Sequence, residues 1–276
     1  MDHTLFYKHE DGKITVLIVY VDDVILIGDD KQEMEDLKEK LEREFEIKDL
    51  GPMRYFLSME VARNQKGISV SQRKYTLDLL KETRMMGCKP VDTPVDPNLK
   101  LTELQNSSPV DKGRYQRLVG RFIYLSHTRP DIAFVVSVVS QFMHTPYNEH
   151  MEAMYRILKY LKGAVGKGLH FAKNEARTIE AYTDAEWAGL VNDRRSTSGY
   201  CTFVWGNLVT WRSKKQNVVA RSNKEAEFKV VAQGICELLW LKLLLEELKV
   251  TSHQPMKIYC DNKAPINIYH NPVHHD

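Results

Sequence analysis

The residues best suited to chemistry in this chain are carboxylates that end apolar runs. Asp22 and Asp23 lie side by side in Leu17-Ile18-Val19-Tyr20-Val21-Asp22-Asp23-Val24-Ile25-Leu26-Ile27, a run with no Gly, Asn or Pro at its reversal. β-Branched and aliphatic flanks favour strands, so the pattern predicts a β-hairpin with the two aspartates at its tip. Alternation places Tyr20 and Asp22 on one face, Val21 and Asp23 on the other. Carboxylates held this way can bind a divalent metal over an open cleft; the plainer alternative makes them turn formers. A second constellation lies far downstream. Ala181-Tyr182-Thr183-Asp184 and Ile258-Tyr259-Cys260-Asp261 each carry a Tyr and an Asp two positions apart. If these are parallel neighbouring strands, Asp184 and Asp261 meet at one sheet edge. Carboxylates that close repel unless a cation lies between them, and Mg2+ is the expected occupant.

The elements around these carboxylates follow from periodicity. Residues 4–7 read as a strand, and Asp11-Gly12 turns the chain into the hairpin. Gly28-Asp29-Asp30 is a rival acidic motif. It directly precedes a helix with Met34, Leu37, Leu41 and Phe45 at helical spacing, which assigns it to a turn and an N-cap. Residues 55–62 and 68–71 predict a second hairpin, and 75–86 a helix ended by Gly87. The stretch 89–109 is rich in Pro, Asp, Asn and Ser, has no period, and reads as a linker. Tyr115, Leu118, Phe122 and Leu125 then share one helix face, while Arg114, Arg117 and Arg121 share another. Such an arginine ridge suits phosphate contacts, its alternative being a solvated face. Two more helices are expected over 132–143 and 151–161. From Gly168 the pattern turns to strands over 169–171, 179–183, 200–204 and 208–211, with a turn at Trp205-Gly206-Asn207. A helix over 223–248 and a strand over 256–260 follow. A crossover helix of this kind sets the last strand parallel to the first.

Composition bounds the rest. A chain of 276 residues, 43% apolar and 28% charged, is long enough for two domains with cores of their own. The formal net charge of +2 makes any nucleic-acid surface a matter of local clustering. Trp211, Arg212, Lys214 and Lys215, with Arg221 and Lys224 nearby, form such a basic and aromatic patch, or else an ordinary hairpin end. Cys88, Cys201, Cys236 and Cys260 form no C-x-x-C pair, which argues against zinc and disulfides and fits a reducing compartment. No apolar run has the length of a membrane span, and the N-terminus lacks a signal-peptide pattern. His270, His274 and His275 lack metal-ligand spacing and read as solvated.

Tyr20-Val21-Asp22-Asp23 between apolar strands resembles the catalytic hairpin of reverse transcriptases. Phe45-Glu46-Ile47-Lys48-Asp49-Leu50-Gly51-Pro52, Tyr55-Phe56-Leu57, Gln116-Arg117-Leu118-Val119-Gly120, Thr128-Arg129-Pro130-Asp131-Ile132 and Asp193-Arg194-Arg195-Ser196-Thr197-Ser198-Gly199-Tyr200 are similar to copia-type LTR retrotransposon Pol polyproteins. The resemblance covers the whole chain. It implies a mixed α/β (α+β) fold in three parts: a partial reverse-transcriptase palm and thumb over 1–88, a linker and helical connection over 89–167, and an RNase H-like mixed sheet with flanking helices over 168–276, truncated at its C-terminus.

The resemblance also implies roles. Asp22 and Asp23 become polymerase-type metal ligands, and Asp184 and Asp261 are joined by a glutamate from the long helix. Matching the family motif selects Glu225, with Ala232 as a small packing residue. Ser222-x-x-Glu225 reads equally as a capping box, which leaves Glu227 as the fallback ligand. The implied activity is two-metal hydrolysis of the RNA strand of an RNA–DNA hybrid, with Mg2+ or Mn2+ as cofactor. Partners would be such a hybrid or a template–primer duplex, and other Pol segments such as integrase and the upstream polymerase, with no membrane. Cytoplasm, virus-like particles and nucleus are the compartments implied. Met1 falls in the middle of the family's polymerase, as in a gene fragment. Only Asp2 and Asp11 precede Asp22, neither in a matching motif, so a third polymerase carboxylate is missing. Asp276 does not match the family's fourth RNase H carboxylate, and Lys224 replaces a small or hydroxyl residue. Two alternatives follow: a catalytically inactive nucleic-acid-binding remnant, or an integrase or DDE transposase. The latter accounts for neither the hairpin nor the helices before Gly168.

Overall fold

Two successive hairpins begin the chain: β1 (Leu5–Glu10), β2 (Lys13–Tyr20) and β3 (Asp23–Gly28) form an antiparallel sheet in that order. The computed structural model describes residues 4–96, 101, 107–188, 194–250 and 254–261. The chain divides into one unit of Met1–Arg54 with Leu243–Thr251 and a second of Tyr55–Lys242 with Ser252–Asp276. In the first unit, Asp11 and Gly12 both take positive φ, 49° and 77°, as a two-residue hairpin turn requires. The α1 helix (Lys31–Glu44) starts at Asp30, whose carboxylate accepts from the Glu33 amide at 3.3 Å. Asp29 accepts from the Ile14 amide at 2.7 Å. Gly28-Asp29-Asp30 is therefore a turn and cap, as its position before a helix implies. Among the described residues of this unit only Thr15 is buried, and α1 buries none.

The second unit holds β4 (Tyr55–Phe56), β5 (Met59–Asn64), β6 (Gly67–Ser71), α2 (Arg73–Glu82), α3 (Lys112–Leu125), α4 (Ala133–Ser140), α5 (Asn148–Gly163), β7 (Gly168–Ala172), β8 (Ile179–Glu186), β9 (Thr197–Val204), β10 (Asn207–Lys215), most of α6 (Asn223–Glu247) and β11 (Lys257–Cys260). Its first sheet has the order β4-β5-β6-β7. Gly168–Ala172, expected to open an RNase H-like domain, instead pairs with Gly67–Ser71. Glycines at the two ends of that pairing explain the fit. A Cβ on Gly67 would stand 2.0 Å from the Phe171 carbonyl oxygen, and one on Gly168 would stand 2.2 Å from that of Val70.

Helices α2 to α5 supply the main core, with Leu79, Leu80, Tyr115, Phe122, Leu125 and Met154 fully enclosed. The fully buried Arg129 belongs to the same layer. It donates to both Asp131 oxygens at 3.0 and 2.8 Å and to the Ala164 carbonyl at 2.9 Å, and Tyr160 donates to Asp131 at 2.6 Å. Burial pushes the Asp131 carboxyl up, but Arg129 and Tyr160 more than offset this and hold it at about 2. Complete hydrogen bonding of this kind is what makes a buried ion pair tolerable.

The second sheet has the order β10-β9-β8-β11. β8, β9 and β10 run antiparallel, and β11 lies parallel to β8 after the α6 crossover. Along β8 the residues alternate: Ile179, Ala181, Thr183 and Ala185 are buried, while Tyr182, Asp184 and Glu186 are exposed. The helix buries Ala226, Val230, Gly234, Leu238 and Leu241. At Gly234 it comes so near the sheet that a Cβ would lie 2.7 Å from Thr183 Cγ2. The packing position is thus Gly234, whereas Ala232 is exposed.

Candidate metal centre

The parallel pairing of β11 with β8 runs Ile258↔Ala181, Tyr259↔Tyr182, Cys260↔Thr183. The Tyr182 and Tyr259 rings stack at 4.8 Å and 19°. One position further along lie Asp184, still within β8 and paired with Gly199, and Asp261, just past the end of β11. A carboxylate of Glu227, from the first turns of α6, joins them, with one oxygen from each residue inside a group no wider than 4.8 Å. Both aspartates are exposed, whereas Glu227 is only 2% exposed. Its Oε2 has no hydrogen-bond partner among the described residues. Burial pushes the Glu227 carboxyl up, and Asp261 and Asp184 push it the same way against a hydrogen bond from the Ala185 amide. An orphaned oxygen facing two further carboxylates is costly unless a cation shares it. Three hard oxygen donors converging from two strands and a helix fit a divalent ion.

Glu225 takes no part in this group. Its carboxylate accepts from the Arg221 amide at 2.7 Å, while Ser222 Oγ accepts from its own amide at 3.3 Å. Ser222 thus caps the helix, and Glu225 reaches back to the amide one residue before that cap, a variant of the capping box reinforced by Lys229 at 2.6 Å. The helix therefore presents Glu227 and Gly234 to the sheet, where matching the motif had selected Glu225 and Ala232. Both pairs are seven residues apart, so the difference is a single shift of two positions. Two residues turn a helix by about 200°, which exchanges one face for the other.

Asp22 and Asp23 lie at a hairpin reversal, as expected. Tyr20 pairs with Asp23, which leaves Val21 and Asp22 as the two tip residues. Val21 is 82% exposed and takes φ of 49°, a region that β-branched residues rarely enter. Among the described residues this pair gathers no third ligand.

The basic residues fall into three situations. On α3, Arg117 is exposed, Arg114 donates to the Tyr155 hydroxyl at 3.0 Å, and Arg121 pairs with Glu82 at 2.9 Å. On β10, Arg212 and Lys214 are exposed. Trp211 and Lys215 instead face the helical layer: the indole N–H donates to the Ser126 carbonyl at 3.1 Å, and the ammonium donates to Gln141 at 3.3 Å. Sequence reasoning passed over Gly120. It is exposed in the interior of α3, one turn from Arg117, and a Cβ there would meet nothing within 4 Å. A glycine in an exposed helix interior costs about 1 kcal/mol relative to Ala, and no neighbour among the described residues requires it. His270, His274, His275 and Asp276 lie outside the described residues.

Comparison with known proteins bears on both units. Residues 1–97 match the family described as reverse transcriptase (RNA-dependent DNA polymerase). The chain is 40% identical over 274 residues to the retrovirus-related Pol polyprotein from transposon RE1 of Arabidopsis thaliana, covering 99% of this chain and 19% of that protein. It is 36% identical to the corresponding protein from transposon TNT 1-94 of Nicotiana tabacum, covering 98% of this chain and 21% of that one. The chain thus spans about a fifth of the length of these Pol relatives. A shorter Arabidopsis thaliana relative, described as uncharacterized mitochondrial protein AtMg00810, is 37% identical over 81% of this chain and 93% of its own length. With the reverse-transcriptase match at one end and Pol similarity from end to end, the chain belongs to the copia-type retrotransposon Pol family.

Proposed function

We propose that the second unit hydrolyses the RNA strand of RNA–DNA hybrids at Asp184, Glu227 and Asp261. The observation that carries this reading is the buried Glu227 oxygen, partnerless among the described residues, beside the exposed Asp184 and Asp261. Asp184 and Asp261 would hold cations from the solvent side, and Glu227 from the buried side. Divalent ions bound there, Mg2+ or Mn2+, would supply an activated water and charge neutralisation at the leaving 3′ oxygen. Exposure of both aspartates leaves the edge open to a duplex, whose RNA strand is told from DNA by its 2′-hydroxyls. The exposed Arg117, the open surface at Gly120, and Arg114 and Arg121 with their neutral and ionic neighbours offer a helix face that a phosphate backbone can approach closely.

Asp22 and Asp23 belong, in this reading, to a polymerase-type site present in part. A strained Val at the tip is the kind of backbone outlier found at functional sites. Other Pol segments would supply the remaining ligands and act on a template–primer duplex. Cytoplasm, virus-like particles and nucleus are the compartments such substrates imply; no described helix is long and apolar enough to cross a membrane.

The test is a labelled RNA–DNA hybrid incubated with the purified chain and Mg2+ or Mn2+, beside calorimetric titration of Mn2+ alone. Metal-dependent cutting of the RNA strand supports the reading. A chain that binds the hybrid and the metal but never cuts is a binding remnant. A chain that takes up no Mn2+ sinks the metal centre itself.

A further inference from the structure

The segment that joins β10 to α6, residues 216–222, begins at a buried amide. Gln216 follows the last residue of β10, and its backbone N–H donates to the Ser196 carbonyl at 2.8 Å. Its side chain uses both amide protons: Nε2 donates to Ser198 Oγ at 2.9 Å and to the Ala226 carbonyl at 3.1 Å. Further along the segment, Trp187 donates its indole N–H to the Ala220 carbonyl at 3.1 Å. We propose that Gln216 is a positioning residue for the metal centre, holding Glu227 where it meets Asp184 and Asp261. This role rests on the hydrolytic reading and extends it.

The contacts of Gln216 close a ring around the glutamate. Ala226, which accepts from Gln216, is the residue just before Glu227. The Glu227 carboxylate accepts from the Ala185 amide, Ala185 pairs with Ser198 on the neighbouring strand, and Ser198 accepts from Gln216. Gln216, Ala226, Glu227, Ala185 and Ser198 are each at most 6% exposed, so little water competes for these bonds. The place is one that needs fixing. The first amides of a helix lack partners of their own, and three converging carboxylates push one another apart until a cation joins them. Gly234 fixes the approach of α6 farther along, and Gln216 fixes its start. The amide is also an expensive way to fill the space. Its Oε1 has no partner among the described residues, and a buried acceptor left unpaired is destabilising, whereas an apolar side chain of that length would carry no such cost. Packing alone therefore does not account for a glutamine here; two directed donors aimed at the helix start and at β9 do.

Gln216→Met keeps the length of the side chain and removes both donors, which makes it the test. Calorimetric titration with Mn2+ alone, at a temperature where parent and variant are both folded, should show affinity reduced about tenfold to a hundredfold. Hybrid cleavage at saturating metal should lose kcat by a similar factor with KM for the hybrid unchanged. The melting temperature in chelator should hold or rise, because the partnerless amide oxygen leaves the interior. A residue that only supports the fold would show the reverse, a lower melting temperature with Mn2+ affinity at the parent level. That result overturns the positioning role and leaves the hydrolytic reading standing. A raised KM with unchanged kcat would make Gln216 a contact for the duplex and overturn the role as well. A parent chain that takes up no Mn2+ overturns both readings together. If Gln216→Met does not fold, Ser198→Ala decides, since it removes one partner and leaves the amide in place. It should weaken Mn2+ binding severalfold, and parent-like binding defeats the proposal. Where both variants fold, the double variant should lose no more Mn2+ affinity than Gln216→Met alone, and additive losses would break the ring.

Discussion

Asp22 and Asp23 lie at a hairpin reversal in a sheet whose unit buries only Thr15 among its described residues; Asp184, inside β8, and Asp261, just past β11, are backed by a helix that buries five apolar or small residues and one glutamate. Both pairs look alike as sequence, a Tyr and an Asp at the close of an apolar run. What separates them is the third carboxylate. A strand end can present two acidic groups to solvent at little cost, because water screens them. Forcing a third beside them requires an element packed tightly enough to hold it, and at the second site Gly234 lets α6 approach the sheet that closely. A metal centre is thus a property of the packing behind the carboxylates as much as of the carboxylates.

The most direct way to break this comparison is to neutralise each pair in turn. Asp184→Asn and Asp261→Asn keep shape and hydrogen bonding and should reduce metal-dependent hybrid cleavage to background. Asp22→Asn and Asp23→Asn should leave that cleavage at the parent rate. The purified chain should not extend a primer on an RNA template under the same conditions. Equal loss of hybrid cleavage in all four variants would mean the two sites do not act separately.

Glu227→Gln sharpens the comparison by removing the feature that distinguishes the second site. Cleavage and Mn2+ uptake should be lost. Thermal stability in chelator should rise, since a neutral amide relieves both the burial of a charge and its repulsion by Asp184 and Asp261. A melting temperature that falls in chelator would mean the glutamate stabilises the unit and is no site of stored repulsion.

Charge is also buried in the helical layer, where Arg129 and Asp131 form a hydrogen-bonded pair. The Asp131 carboxyl lies at about 2 when folded, against an ordinary value of 3.8. A carboxylate depressed on folding contributes stability above its unfolded value, and that stability is lost as pH falls toward the folded one. The contribution at neutral pH is about 2 kcal/mol, and Asp131→Asn should remove at least this, because it also leaves the buried Arg129 without its counter-charge. Urea unfolding at pH 7 and again at pH 2.5 measures both effects. A pH-independent difference between parent and variant would refute the linkage.

Much of this architecture was legible because period and punctuation agree. The Asp22–Asp23 hairpin, the Asp30 cap, the α3 core face and the parallel Asp184 and Asp261 strands all follow from local pattern. Two features were not. The partner of Gly168–Ala172 is set by close backbone approach to a strand about a hundred residues earlier, which no local pattern encodes. The face of α6 was ambiguous because the helix is apolar on both sides: Val230, Leu238 and Leu241 are buried, while Phe228, Ile235, Leu239 and Trp240 are exposed. With no polar face to orient it, the motif match slipped by two residues and chose Glu225. The spacing of Ala226, Val230 and Gly234, small residues at every fourth position, was the available signal for the side that meets the sheet.

A smaller effect is expected on α3, where the surface is open. Gly120→Ala should stabilise the fold by about 1 kcal/mol, since the new methyl group meets no neighbour. The same change should weaken hybrid binding if a backbone passes close to this face. Arg117→Glu should weaken it further and flatten its salt dependence. Gly120→Ala with both higher stability and unaltered binding would return this face to plain solvent exposure.

The smallest expected effect is also the finest test of how the two glutamates of α6 divide their work. Glu225→Gln preserves a side chain that can still accept from the Arg221 amide, so both hydrogen bonds at the helix start survive. What it loses is the ion pair with Lys229, an i,i+4 contact with both side chains partly exposed, worth about 0.5 kcal/mol or less. Hybrid cleavage and Mn2+ affinity should stay at parent levels. Glu225→Ala also removes the acceptor of the Arg221 amide while leaving the Ser222 cap in place, and should lower stability further, still without loss of metal binding. Loss of cleavage in Glu225→Gln at unchanged stability, with Glu227→Gln active, would reverse the roles and move the metal centre to the opposite face of the helix. The capping geometry at Arg221 and Ser222 argues against that outcome: a carboxylate already bonded to its own helix start and to Lys229 has little left to offer a cation.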